Sequence, residues 1–253
     1  MKKRKDRFLF YVIKSAVKLF YPNMQIVGSE NIPERDAIII ANHSQMNGPI
    51  CAELFMPDNS RIWCAGQMMH LKEVPAYAFE DFWSAKPALL KPFYKLLSYI
   101  IAPLAVCVFN NARTIAVYHD QRGLSTFKNT ISELKNGSTI VIFPEGKKLN
   151  NNVVNEFNEH FADVAKLYAK SSGKELLFVP MYIAPDLKQI HVMKGVRFDS
   201  QNDIDVERKR ICREMTDAIT EKARSLPRHK VVPYDNISKK KYLTNKDINE
   251  VPR

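Results

Sequence analysis

Paired cysteines are missing from this chain. Its four cysteines, Cys51, Cys64, Cys107 and Cys212, stand far apart in apolar surroundings with no C-x-x-C pair among them. That excludes a sequence-encoded zinc cage or disulfide framework and points to reduced packing residues of a cytoplasmic protein. Acidic residues are in short supply: 27 Asp and Glu face 38 Lys and Arg, a formal net charge of +11. Such a balance attracts an anionic partner, whether a bilayer surface, a phosphorylated substrate or a nucleic acid. The basic residues gather at the N-terminus and in the tail, without aromatic and basic residues interleaved on strands, so nucleic acid is not the expected partner. Repeats and low-complexity blocks are absent, and 45% hydrophobic with 26% charged residues excludes wholesale disorder. Long uncharged apolar runs are lacking as well. The strongly apolar stretch 87–109 is divided by Lys91, Pro92, Lys95 and Pro103 and reads as a helix followed by a strand at 105–109. Its uncharged part is short of the roughly 20 residues that a bilayer crossing needs.

What is present alternates between strand and helix patterns over 253 residues. The expectation is a single α/β domain at 22–226 with a mixed, mostly parallel sheet flanked by helices. A basic amphipathic helix at 1–21 precedes it, and a loosely ordered, basic polar tail at 227–253 follows. In the N-terminal helix Arg7, Lys14, Ser15 and Lys18 share one side, while Phe8, Val12, Val17, Leu19 and Phe20 cover the rest. Two readings stand for it, a helix lying in the interface of an anionic membrane and a helix packed on its own domain. No small-residue cleavage site follows it, which argues against a secretory signal.

Strands are expected at 25–28, 37–41, 61–65, 138–143 and 176–182, with an edge strand at 189–192. Helices are expected from residue 50, over 124–134 with Asn136-Gly137 as terminator, over 155–170 and over 206–226. The Met- and aromatic-rich stretch 68–83 reads as core or lid, or as a wall for a flexible apolar ligand.

Chemistry-bearing residues sit at strand ends. The apolar strand 37–41 delivers Asn42 and His43 to its carboxyl end, where open α/β sheets bind their ligands. Turn formers Asn47, Gly48 and Pro49 follow. Arg113 falls just beyond the expected strand 105–109. The strand 138–143 runs directly into Pro144-Glu145-Gly146-Lys147-Lys148, a plausible cradle for a phosphate or polyol. A solvated turn and a structural histidine are the plainer readings of each feature taken alone.

Taken in order, Asn42-His43, Arg113, Phe143-Pro144-Glu145-Gly146 and Val179-Pro180 resemble the glycerolipid acyltransferase family of lysophosphatidic acid and glycerol-3-phosphate acyltransferases. Its blocks are N-H-x-x-x-x-D, G-x-x-x-x-x-R, F-P-E-G-T-R-S and an apolar V-P-V strand. The resemblance covers roughly residues 23 to 200. It implies transfer of a fatty acyl group from a thioester to the hydroxyl of a lysophospholipid or related acceptor, at the cytoplasmic face of a membrane. His43 matches the general base and Arg113 the arginine that holds the acceptor's phosphate. Phe143, Pro144, Glu145, Gly146, Lys147 and Lys148 match the acceptor-binding block, and Val179 and Pro180 the block near the acyl donor. No metal or cofactor is implied, since acyl-CoA, acyl carrier protein or acyl phosphate is a co-substrate. Three departures stand out: Gly48 occupies the place of the aspartate that orients the base, Lys148 replaces an arginine, and Cys107 replaces a glycine. Asn47, or a carboxylate from elsewhere in the chain, is then the expected orienter. The alternative is a family member that binds lipid without turning it over.

Overall fold

A computed structural model describes residues 2–84 and 86–247. Met1, Ala85 and the tail's last residues, 248–253, lie outside the described residues. The elements in chain order are α1 (Lys2–Phe20), β1 (Gln25–Val27), β2 (Ala37–Ala41), α2 (Asn47–Phe55), β3 (Ser60–Ala65), α3 (Val74–Ala78), α4 (Lys91–Asn111), β4 (Thr114–Val117) and α5 (Gly123–Lys135), then β5 (Thr139–Ile142), β6 (Glu145–Leu149), β7 (Asn155–Phe157), α6 (Asp163–Ser172), β8 (Leu177–Ala184), β9 (Gln189–Val192), β10 (Val196–Arg197) and α7 (Ile204–Ser225). They form two compact units, residues 1–22 with 62–128, and residues 23–61 with 129–253.

The second unit carries the sheet order β1-β9-β8-β2-β5, with β10 on β8. Its β1–β9, β2–β8 and β2–β5 pairs are parallel, whereas β8–β9 and β10–β8 are antiparallel. The class is therefore α/β with a mostly parallel mixed sheet, as the alternating pattern predicts. β2 is buried along its whole length, which is why it reads as an uninterrupted Ala-Ile-Ile-Ile-Ala run rather than an alternation. Ile211, Met215 and Ile219, one turn apart on α7, are fully buried, and α7 packs on β8. A proline inside a central strand needs an explanation. The Pro180 carbonyl accepts from Met193 N–H at 3.0 Å, so its nitrogen faces the same side, where β8 changes partner from β10 to β9. No ladder bond is lost there.

In the first unit α1 packs against α4, and β3 pairs in parallel with β4. Two expectations fail here. The run 105–109 is not a strand but the last turns of α4, which continues through Pro103. The true strand is β4, so Arg113 precedes a strand instead of following one. With Ala88–Leu90 as a leading turn, the helix over Ala88–Asn111 is long and apolar enough to cross a membrane, contrary to the estimate from its uncharged part, and only 17% of its apolar window is buried.

Three further corrections concern the second unit. Residues 155–157 form β7, antiparallel to β6, and the helix starts only at Asp163. β9 lies between β1 and β8 and is not an edge. The tail through residue 247 is ordered: His229, Val231 and Asn245 are buried. Asn245 donates to the carbonyls of Ala223 (2.8 Å), Leu226 and Pro227, and its Oδ1 accepts from His229 N–H.

Candidate active site

The candidate site grows from the end of β2. Asn42 is buried, and its amide pairs with the backbone of β8: Oδ1 accepts from Ile183 N–H at 2.7 Å, and Nδ2 donates to Ile183 O and to Ser44 Oγ. It thus prolongs the β2–β8 ladder by one side chain, a scaffold role. Directly after it the chain departs from ordinary geometry. Ser44 and Gln45 both adopt left-handed backbone, with φ of 47° and 54°, which costs on the order of 1 kcal/mol or more for each non-glycine residue. This reversal returns the chain to α2, so that Gly48 N–H bonds the His43 carbonyl at 2.9 Å.

Glu145 ties the loop down. It is buried at the start of β6, where Oε1 accepts from the His43 backbone N–H at 2.6 Å and Oε2 from Asn155 N–H at 2.7 Å. Burial, with the Asp235 charge a smaller contributor, pushes its pKa up to about 7 against the pull of the two amides. Glu145 therefore serves first as a clamp between the β2 loop and β7. Gly146 O accepts from Asn155 Nδ2, and Pro144 O from Asn158 N–H. Lys147 and Lys148 point outward along exposed β6, with Lys148 paired to Glu156 at 2.9 Å.

The His43 ring makes two near-perpendicular aromatic contacts, with Phe143 and with Tyr234, each with its centroid 5.4 Å away. Its Nδ1 is buried and has no hydrogen-bond partner among the described residues. Burial lowers its pKa, partly offset by a bond to the Gln45 backbone, which favours the neutral imidazole that a general base requires. Asn47 therefore does not hold Nδ1, and its own Nδ2 bonds Ser44 O at 2.9 Å. Nor is there room for the missing aspartate. A Cβ on Gly48 would overlap the His43 carbonyl oxygen and stand 2.8 Å from Phe143 Cε1.

Asn42, His43, Phe143 and Glu145 are thus brought together, and Val179 and Pro180 pair with Ile39 and Ile40 of β2, just below the loop. Arg113 belongs to the first unit, where its carbonyl accepts from Ile62 N–H. His160 is exposed and paired with Asp163. Sequence reasoning missed Gln45 and the tail residues that meet it: Gln45 Nε2 donates to Asp235 O at 2.8 Å, and Tyr242 OH donates to Gln45 Oε1 at 3.1 Å. Their only signal was aromatic residues, Tyr234 and Tyr242, in an otherwise polar tail.

No protein-family profile matches the chain, and no curated protein sequence matches it. Among solved structures it is similar to the 1-acyl-sn-glycerophosphate (LPA) acyltransferase PlsC from Thermotoga maritima, at 18% identity over 87% of this chain and 83% of that one, with a TM-score of 0.44.

Proposed function

We propose that this protein is a membrane-associated acyltransferase that moves a fatty acyl group from a thioester donor to the hydroxyl of a lysophospholipid or related glycerolipid, with His43 as general base. The observation that carries the reading is the bond from His43 N–H to Glu145. It joins the Asn-His and Phe-Pro-Glu-Gly blocks across 102 residues of chain, as two halves of one site require. In the reaction His43 takes the proton of the acceptor hydroxyl as its oxygen attacks the thioester carbonyl. The imidazolium then returns that proton to the departing thiolate, leaving an ester and a free thiol. The acceptor's phosphate is assigned to Arg113 on the sequence resemblance alone, a guanidinium fork being suited to phosphate oxygens. The purified protein, given labelled acyl-CoA and lysophosphatidic acid, is expected to yield phosphatidic acid, and His43→Gln to abolish it. Equal turnover by the two proteins would sink the mechanism.

A second reading, a lipid-binding protein without turnover, is favoured by one feature: the buried Nδ1 has no carboxylate. Losing the orienting carboxylate lowers kcat about 10⁴-fold in a serine-protease triad. Tight lysolipid binding with no product across a panel of acceptors would select it.

A further inference from the structure

The closure of position 48 leaves an unanswered physical problem, since a general base on a flexible ring needs something to hold that ring. Besides the bond to the Gln45 backbone, the ring has two aromatic contacts: Phe143 belongs to the Phe-Pro-Glu-Gly block, and Tyr234 is supplied by the C-terminal segment.

We infer that Tyr234 is the positioning residue for the His43 imidazole, doing by ring contact what an orienting carboxylate would do by hydrogen bond. The inference rests on the acyltransferase reading for its catalytic part. Three independent observations support it. First, the Tyr234 ring meets His43 nearly perpendicularly, at 78°, and Phe143 makes a second near-perpendicular contact at 68°. Two edge contacts of that kind restrict rotation about the imidazole's χ2 and are worth roughly 0.5–1.5 kcal/mol each. Second, the segment bearing Tyr234 is fixed to the loop that bears His43. Both ends of the Gln45 amide bond it, Nε2 to Asp235 O and Oε1 to Tyr242 OH, and Gln45 holds one of the two left-handed backbone positions that shape the loop. Third, the segment is anchored independently of the loop. His229 Nε2 bonds Tyr182 OH at 2.8 Å, and Lys230 N–H bonds Asp186 Oδ2 at 2.8 Å. Tyr234 is therefore held from both sides. The acidic groups facing this site are Glu145, which takes the His43 backbone amide, and Asp235, beside Tyr234.

Positioning by rings has a signature that positioning by a carboxylate lacks. An aromatic edge excludes water without supplying a counter-charge, so it lowers the imidazole pKa, whereas a carboxylate raises it. The test is histidine NMR titration of the full chain, with the His43 signal assigned by its loss in His43→Gln, alongside steady-state acyl transfer. Tyr234→Ala is expected to raise the His43 pKa toward 6.5, its ordinary value, and both Tyr234→Ala and Tyr234→Leu to lower kcat on the order of tenfold or more with KM little changed. Tyr234→Phe, which keeps the ring, is expected to restore the wild-type pKa. An unchanged His43 pKa in Tyr234→Ala overturns the inference, and so does a rise in kcat in either variant, which would mark the segment as an inhibitory cover. If wild type transfers no acyl group to any acceptor, the acyltransferase reading falls and the titration alone decides whether Tyr234 holds the ring.

Discussion

Position 48 shows how a single residue can close one solution and enforce another. With the Gly48 amide bonded to the His43 carbonyl and the Phe143 ring packed above it, a side chain there displaces the loop or the ring. Gly48→Asp, the substitution that would complete an N-H-x-x-x-x-D block, is expected to destabilise the protein by roughly 1–3 kcal/mol in denaturant unfolding and not to raise activity. Glu145 makes the complementary prediction. Burial lifts its pKa from an ordinary 4.5 to about 7, so between those values the native state keeps a proton that the unfolded chain has lost. Stability therefore falls as pH rises through that window, by about 3 kcal/mol, and the loss is complete above pH 7. His43 has the opposite sign: its lowered pKa costs stability as pH falls below its ordinary 6.5. Unfolding wild type and Glu145→Gln side by side at pH 4.5 and 7 isolates the Glu145 contribution. Wild type should lose about 3 kcal/mol relative to the variant, and parallel profiles would contradict the assignment.

At the scale of elements, legibility followed how locally each element is determined. β2, β5 and β8 are buried runs of β-branched and apolar residues bounded by turn formers, and they stand close to where the pattern puts them. The run 105–109 is ambiguous for the same reason, since a short apolar stretch suits a strand or a buried helix equally. The helix wins because it extends α4 to Asn111 and caps Ala112 on Val108 O. The tail's order is not legible from its composition, which reports on average solvation and not on satisfied polar groups. Its buried members, His229 and Asn245, are polar, yet each has partners. Truncating Asn245 to Ala leaves buried carbonyls and one amide unpaired, so thermal unfolding should report a loss of about 2–4 kcal/mol. A loss below 1 kcal/mol would mean that water replaces the side chain at no cost.

For the whole molecule, charge and exposed apolar surface point the same way. In the first unit, α1 exposes Phe8, Leu19 and Phe20, and the neighbouring α4 region exposes Leu89, Phe93, Leu96, Ile100 and Leu104. Exposed apolar side chains in this number on a chain of net charge +11 suit the interface of an anionic bilayer. Phe93→Ser and Ile100→Ser are each expected to weaken partitioning onto phosphatidylserine vesicles about tenfold, and removal of residues 1–21 to release the protein. Rising salt should weaken only the electrostatic share. Co-sedimentation unaffected by any of these changes would refute membrane docking. The Asn-His loop carries a different consequence, one of order in time. The Gln45–Asp235 bond spans 190 residues and the Tyr242–Gln45 bond 197, so closing them is among the longest-range events of folding, and long-range closure is slow. The sheet can form while the imidazole is still loosely held, and a chain that looks native by its secondary structure then acquires its chemistry last.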